Sequence, residues 1–281
     1  MLTMPLSPSE TSRLLEEFNH RPKKKLGQNF LTDGNIVHKS IAMADLPAGI
    51  PVVEIGPGLG TLTQQLLLKK HQVFAVEIDE NLFENLQKSF DSFIQKKQLN
   101  LIKGDAVKKP LAQLPEGVKD FAVVANLPYA ISSPWMESLL HTQRIPIRMV
   151  LMLQKEAVQR MGATHGTKEY NALSIFIKAA FQNSHIHPVP RQCFFPIPGI
   201  DSVLVQMNRL PAPFLYNQKT RTLIRKIFTQ RRKQIGSLVK KEEPDTKKIL
   251  EMWISEQNLS RNLRPEQISP EQWRALAESN P

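Results

Sequence analysis

From Ile50 onward the chain alternates short apolar runs with stretches in which apolar residues recur every three or four positions. The runs PVVEI (51–55), QVFAVEI (72–78), LNLIKGD (99–105), FAVVANL (121–127) and RMVLMLQ (148–154) predict strands, and SVLVQMNRL (202–210) a late strand after a Pro-rich loop. Their near-continuous apolar character suits strands covered on both faces. Between the second and third runs, Leu82, Phe83, Leu86, Phe90, Phe93 and Ile94 keep helical spacing and predict one face packed on a sheet. Strand and helix in alternation predict βαβ units, hence an α/β fold with a parallel sheet between helical layers.

The flanks follow other patterns. Ser7 as N-cap, Pro8 at the first helical position and Glu10 three residues after the cap predict a helix ending near Asn19. Then comes RPKKKLGQNFLTD, where Arg21, Lys23, Lys24 and Lys25 form a basic cluster, followed by a predicted helix from about Asn35 to Ala44. Downstream, the prolines of PAPFLYN (211–217) cannot continue a strand, and the pattern beyond them is helical only. The expected organisation is therefore an N-terminal helix and QNFL loop (1–34), an α/β domain (35–210) and a small helical domain (211–281).

Charge adds a partner to this picture. Across 281 residues, 37 Lys and Arg against 26 Asp and Glu leave a net +11, which favours a polyanion through phosphate neutralisation. The last 71 residues hold 14 basic and 8 acidic side chains, a net of +6 and more than half of the excess. A single cysteine, Cys193, excludes an intrachain disulfide and a cysteine metal cluster, and agrees with a reducing cytosol. No apolar stretch reaches the roughly 18 residues a membrane span needs, and the first residues lack a signal-peptide pattern. A soluble, cytoplasmic protein is expected.

The candidate chemistry lies at the strand ends. The turn Glu54-Ile55-Gly56-Pro57-Gly58-Leu59-Gly60 directly follows the first strand, where open parallel sheets bind nucleotide-like ligands. Its G-x-G-x-G spacing is shorter than the dinucleotide fingerprint, and no Lys-Ser/Thr follows as in a phosphate loop. S-adenosylmethionine, which has no phosphates, fits better. Glu77 ends the second strand, suited to accept from ribose hydroxyls, and Asp105 ends the third, suited to accept from an adenine amine. The fourth ends in Asn126-Leu127-Pro128-Tyr129. There the Asn126 amide oxygen and the Leu127 or Pro128 carbonyl can accept the two hydrogens of an adenine N6 amine while Tyr129 stacks on the base. An adenine within a helix is out of reach, so the substrate must be unpaired or flipped. Phe194 or Phe195 is the candidate for the opposite face of an aromatic sandwich.

Taken together, Gln28-Asn29-Phe30-Leu31, EIGPGLG, Glu77, Asp105, NLPY, Leu153 to Glu156, Pro196 to Ser202 and Phe228 to Lys233 resemble the ribosomal RNA adenine dimethyltransferases of the KsgA/RsmA type over nearly the whole chain. The resemblance implies a Rossmann-like class I S-adenosylmethionine-dependent methyltransferase domain with a small helical C-terminal domain. It implies two methyl transfers to each of two neighbouring adenosines near the 3′ end of small-subunit ribosomal RNA, in late ribosome assembly, by a monomer without a metal. It places Asn29, Leu31, Gly56, Gly58, Glu77, Asp105 and Asn126 at the cofactor, Asn126 and Tyr129 at the reacting base, and Phe194 at the second stacking position. Arg225, Lys226, Arg231, Arg232 and Lys233 look like phosphate contacts, beside the cluster from Arg21 to Lys25. Two other readings compete: a large-subunit ribosomal RNA adenine methylase of the antibiotic-resistance kind, and a non-catalytic RNA-binding assembly factor on the same fold.

Overall fold

The computed structural model describes residues 7–279. Among the described residues there are nine strands: β1 (Phe30–Leu31), β2 (Val52–Ile55), β3 (Val73–Glu77), β4 (Leu99–Lys103), β5 (Ala122–Asn126), β6 (Arg148–Gln154), β7 (Phe181–Val189), β8 (Phe194–Phe195) and β9 (Ser202–Arg209). Seven of them form one sheet in the order β4-β3-β2-β5-β6-β9-β7, and β1 pairs with β8 in a separate antiparallel ladder. Pairing is parallel from β4 through β6 and antiparallel between β6 and β9. The chain runs outward from β2 to β4, then returns to the other side of β2 as β5. A crevice therefore opens at the carboxyl ends of β2 and β5, the place where open α/β sheets take ligands.

The six predicted strands coincide with β2 to β6 and β9. Their side chains are buried on both faces in β2, β3 and most of β5 and β6, as the continuous apolar runs require. β7 had no strand signal. Its QNSHIH stretch is polar and mostly exposed, and it sits at the end of the sheet, where apolar alternation is not needed and Pro188 is tolerated.

The predicted face after β3 is split between helices Glu80–Ser89 and Asp91–Gln95; Leu82, Leu86 and Phe90 are buried, and Phe83, Phe93 and Ile94 partly so. Phe90 closes against the glycine turn. A Cβ at Gly60, whose φ is +84°, would lie 2.4 Å from Phe90 Cε2, so only glycine fits beneath that ring. The N-terminal helix Pro8–Glu17 begins with the expected capping box: the Glu10 amide donates to Ser7 Oγ at 3.3 Å, and the Ser7 amide donates to Glu10 Oε2 at 2.8 Å. Leu14 and Leu15 of this helix join Phe30, Leu59 and Leu82 in a small apolar cluster, with Phe18 and Phe195 against it.

The chain divides into two compact units. One comprises the residues up to Val158 together with Asn183–Arg209; the other comprises Gln159–Gln182 and the chain from Leu210 onward. The helical unit is thus larger than the expected 211–281. Helix Ala172–Ala180 buries seven of its nine residues and packs on helices Gln218–Phe228 and Pro270–Glu278, which supply the cover it needs. The centre of this unit is aromatic: Trp253 and Trp273 stack at 5.1 Å, Trp253 Nε1 donates to the Gln272 carbonyl at 2.7 Å, and Phe228 lies 5.7 Å from Trp273.

Candidate functional site

The tips of β2 to β5 and the segment Lys25–Leu31 line one pocket. The turn after β2 supplies its floor. Gly56 has φ +63°, its N–H donates to the Val76 carbonyl at 3.0 Å, and a Cβ there would press on the Pro128 ring at 3.4 Å. Glycine therefore lets the turn and the NLPY hook approach each other.

Glu77, at the end of β3, is 4% exposed. Its carboxylate accepts from the Gly58 N–H at 3.1 Å and from the Asp79 N–H at 2.9 Å. Burial raises its pKa above the usual carboxylate range, against the pull of these two bonds. Asp105 lies two residues past β4 and is partly exposed to the pocket; its Oδ1 accepts from the Val107 N–H at 2.8 Å. The Gly104 N–H donates to the Glu77 carbonyl at 2.9 Å, which ties the two tips together.

At the end of β5, Asn126 Nδ2 donates to the Asn29 carbonyl at 3.1 Å. That bond fixes the amide orientation and leaves Oδ1 as its acceptor. Leu127 is fully buried, and the Pro128 carbonyl already accepts from the Ile131 N–H at 3.1 Å. The Tyr129 hydroxyl shares a 2.6 Å hydrogen bond with Ser202 Oγ, and burial raises its pKa, so the phenol stays neutral at physiological pH. Asn29 Nδ2 donates to the Gly27 carbonyl at 3.1 Å, and Leu31, the second residue of β1, lines the pocket.

Phe194 is placed elsewhere. It pairs with Leu31 across the β1–β8 ladder and is 1% exposed, enclosed in the core with Val189 and Leu204, while Phe195 pairs with Phe30 and packs against the other cluster. Successive strand side chains point to opposite faces, and the face given to Phe194 is the core. In this structure the Phe194 ring therefore lies in the core, outside the pocket lining.

The residue that sequence reasoning missed is Glu54. It lines the pocket, is 2% exposed, and accepts from Thr63 Oγ1 at 2.7 Å. Burial, with the nearby Glu77 charge adding to it, pushes its pKa up to about 8. The signal was present: one acid in an otherwise apolar strand, two residues before the glycine turn.

The candidate phosphate contacts separate into two kinds. Arg21, Lys24 and Lys25 are exposed with no side-chain partner among the described residues, whereas Lys23 Nζ pairs with Asp79 at 2.7 Å. In the helical unit, Lys226 pairs with Glu242 at 2.6 Å, and Arg231 donates to the Lys168 carbonyl and lies 3.9 Å from Glu266. Arg225 is half-buried over the Phe176 ring at 5.8 Å. Lys233 donates to Gln230 Oε1 at 2.9 Å, and Arg232 is exposed without a partner among the described residues.

Known proteins are similar to this chain in sequence and fold. The chain is 45% identical to a ribosomal RNA small subunit methyltransferase A from Opitutus terrae, over 97% of this chain and 98% of that protein. Among solved structures, a dimethyladenosine transferase from Plasmodium falciparum superposes with a TM-score of 0.68 at 26% identity, covering 88% of this chain and 95% of that one. The 23S rRNA methyltransferase ErmE shares the Rossmann-like class I fold, with a TM-score of 0.63 at 23% identity over 89% of this chain and 99% of that one. The glycine turn, the acid-tipped strands and the NLPY hook all fall within residues 19–278, the span that matches the ribosomal RNA adenine dimethylases, and the chain belongs to that family.

Proposed function

We propose that this protein transfers methyl groups from S-adenosylmethionine to the N6 amines of two adjacent adenosines near the 3′ end of small-subunit ribosomal RNA, two on each, during late assembly of the subunit. The observation that carries the chemistry is the Asn126 amide, held by the Asn29 carbonyl so that its oxygen is the acceptor. The substrate assignment is supported by the 45% identical small-subunit relative, against 23% for the 23S enzyme.

The pocket fits the methyl donor. Two buried acids, Glu54 and Glu77, can ionise against a ligand that carries an ammonium and a sulfonium. Glu77 would take the ribose hydroxyls, Asp105 the adenine amine, and the turn at Gly56 and Gly58 the close approach. Asn29 and Leu31 would border the donor from the side of β1. When bound, the donor supplies an electrophilic methyl on sulfur.

The protein's work is then positioning. An adenine N6 lone pair is delocalised into the ring. Asn126 Oδ1 and the Leu127 carbonyl, accepting one hydrogen each, favour a pyramidal nitrogen whose lone pair faces the methyl. Leu127 is preferred over Pro128 because the Pro128 carbonyl closes its own turn. Tyr129 stacks on the base, its ring tethered by Ser202. The methylated nitrogen loses its extra proton to water.

Arg21, Lys24, Lys25, Arg232 and Lys233 are the proposed phosphate contacts, since each is exposed. No helix among the described residues is long and apolar enough to cross a membrane. We place the protein in the cytoplasm, acting as a monomer on an immature small subunit. The test is incorporation of labelled methyl into undermethylated small subunits against large subunits: preference for small subunits supports the assignment, and preference for large subunits overturns it.

A further inference from the structure

Three side chains of the segment between the N-terminal helix and β1 converge on one buried carboxylate. Asp79, which follows β3, has a side chain with no solvent exposure. Its Oδ1 accepts from the Asn81 and Leu82 N–H groups at 3.1 and 3.4 Å and caps helix Glu80–Ser89. Its Oδ2 takes Lys23 Nζ at 2.7 Å and Gln28 Nε2 at 3.0 Å. Gln28 Oε1 in turn accepts from the Lys23 N–H at 2.7 Å and faces His20 Nε2 at 3.0 Å, while His20 Nδ1 lies 3.7 Å from Asp79 Oδ1. Capping needs only Oδ1. The bonds at Oδ2 come from distant chain and have no part in holding the helix.

These bonds do hold Lys25–Leu31 against the pocket. The same Asp79 donates its N–H to Glu77, whose other oxygen holds Gly58. The Asn29 carbonyl, which orients Asn126, lies one residue past Gln28. We propose that Asp79 is a positioning residue that latches the segment His20–Leu31 across the donor pocket, and that Lys23 and Gln28 are the other half of the latch. Opening the segment detaches both from Asp79, uncovers the donor and releases the Asn29 carbonyl from Asn126. Closing it restores all three at once. Lys23 thus serves the donor site, in contrast to its neighbours Lys24 and Lys25.

The inference rests on the reading that this pocket holds S-adenosylmethionine. Two variants test it. Asp79→Asn keeps an Oδ1 acceptor for the helix cap but sets an amide NH2 against Lys23 and Gln28; Lys23→Met removes the partly exposed ammonium and leaves the cap untouched. Binding of S-adenosylhomocysteine by calorimetry should weaken roughly tenfold in each, the scale of one charge-assisted hydrogen bond. The double variant should be no worse than the weaker single one. In steady state the effect should fall on KM for the donor rather than on kcat. In ligand-free protein, amides 23–31 should exchange faster with deuterium while those of helix Glu80–Ser89 keep their protection.

Unchanged affinity and unchanged exchange at 23–31, with only a lower Tm in Asp79→Asn, would reduce Asp79 to a helix cap and overturn the latch. The exchange experiment needs no ligand. If the unaltered protein failed to bind S-adenosylhomocysteine, the pocket reading would fall, and exchange at 23–31 would still decide the latch.

Discussion

Asn126 donates through Nδ2 to the carbonyl of Asn29 at 3.1 Å, so a residue from the QNFL segment sets the orientation of the amide at the end of β5. One N–H of the amide is held by protein, and Oδ1 is the oxygen proposed to meet the substrate amine.

Asn126→Ala should therefore remove an oriented acceptor from the reacting amine. Single-turnover methyl transfer is expected to fall about 10²- to 10³-fold, the scale seen when one preorganised polar group is deleted from an active site. Binding of S-adenosylhomocysteine should change less than the rate does. Equal losses in both would move Asn126 from the base to the donor.

Glu77 accepts two backbone N–H groups while buried. Glu77→Ala removes the proposed ribose acceptor and leaves the Gly58 and Asp79 amides unpartnered. Calorimetry should show donor affinity weakened roughly 10- to 100-fold, as for the loss of hydrogen bonds to a charged group. Unchanged affinity would remove Glu77 from the donor site.

Glu54 supplies a pH dependence. With its pKa raised to about 8 by burial, it is mostly protonated at pH 7 in the free protein. A raised folded-state pKa gives stability that is fully present below the unfolded value near 4.5 and is lost as pH rises through about 8. Thermal denaturation between pH 6 and pH 9 should show that loss, and Glu54→Gln, which mimics the protonated form, should lessen it. If the ionised carboxylate meets the donor's ammonium, binding releases a proton and tightens from pH 6.5 to 8.5, a trend Glu54→Gln should flatten. Identical pH profiles for the two proteins would take Glu54 out of both roles.

Tyr129 separates stacking from tethering. Tyr129→Ala should slow methyl transfer about 10- to 100-fold, the range for loss of one base–aromatic stack. Tyr129→Phe keeps the ring and loses only the Ser202 bond, so it should retain most of the rate. Equal loss in both variants would assign the effect to the hydroxyl.

The partners of the basic residues make a prediction about salt. Lys24→Ala or Arg232→Ala should weaken RNA binding and reduce the slope of log affinity against log salt by about 1 for each phosphate no longer neutralised. Lys226→Ala, whose ammonium is already paired with Glu242, should leave the slope nearly unchanged. A reversed order would show that intramolecular pairing does not decide which cations meet RNA.

What could be read from the sequence was what short-range pattern controls. The apolar runs place six strands within a residue or two, and the Ser7 capping box specifies its own helix. The acids and amides at the strand tips followed from those ends. β7 escaped because an exposed edge strand of polar residues carries no periodicity. The burial of Phe194 depends on which face the β1–β8 ladder turns inward, and that is decided by pairing with Leu31 far away in sequence. Residues 172–180 fall within the expected α/β domain (35–210), although the apolar surface of helix Ala172–Ala180 is covered by the C-terminal helices. Lys23 looked like its neighbours because nothing local reveals Asp79.

The most direct test of the central claim is mass spectrometry of small-subunit ribosomal RNA after purified protein and S-adenosylmethionine act on undermethylated small subunits. Four added methyl groups are expected, two on each of two adjacent adenosines near the 3′ end. No methylation there, or methylation found instead in large-subunit RNA, would contradict it.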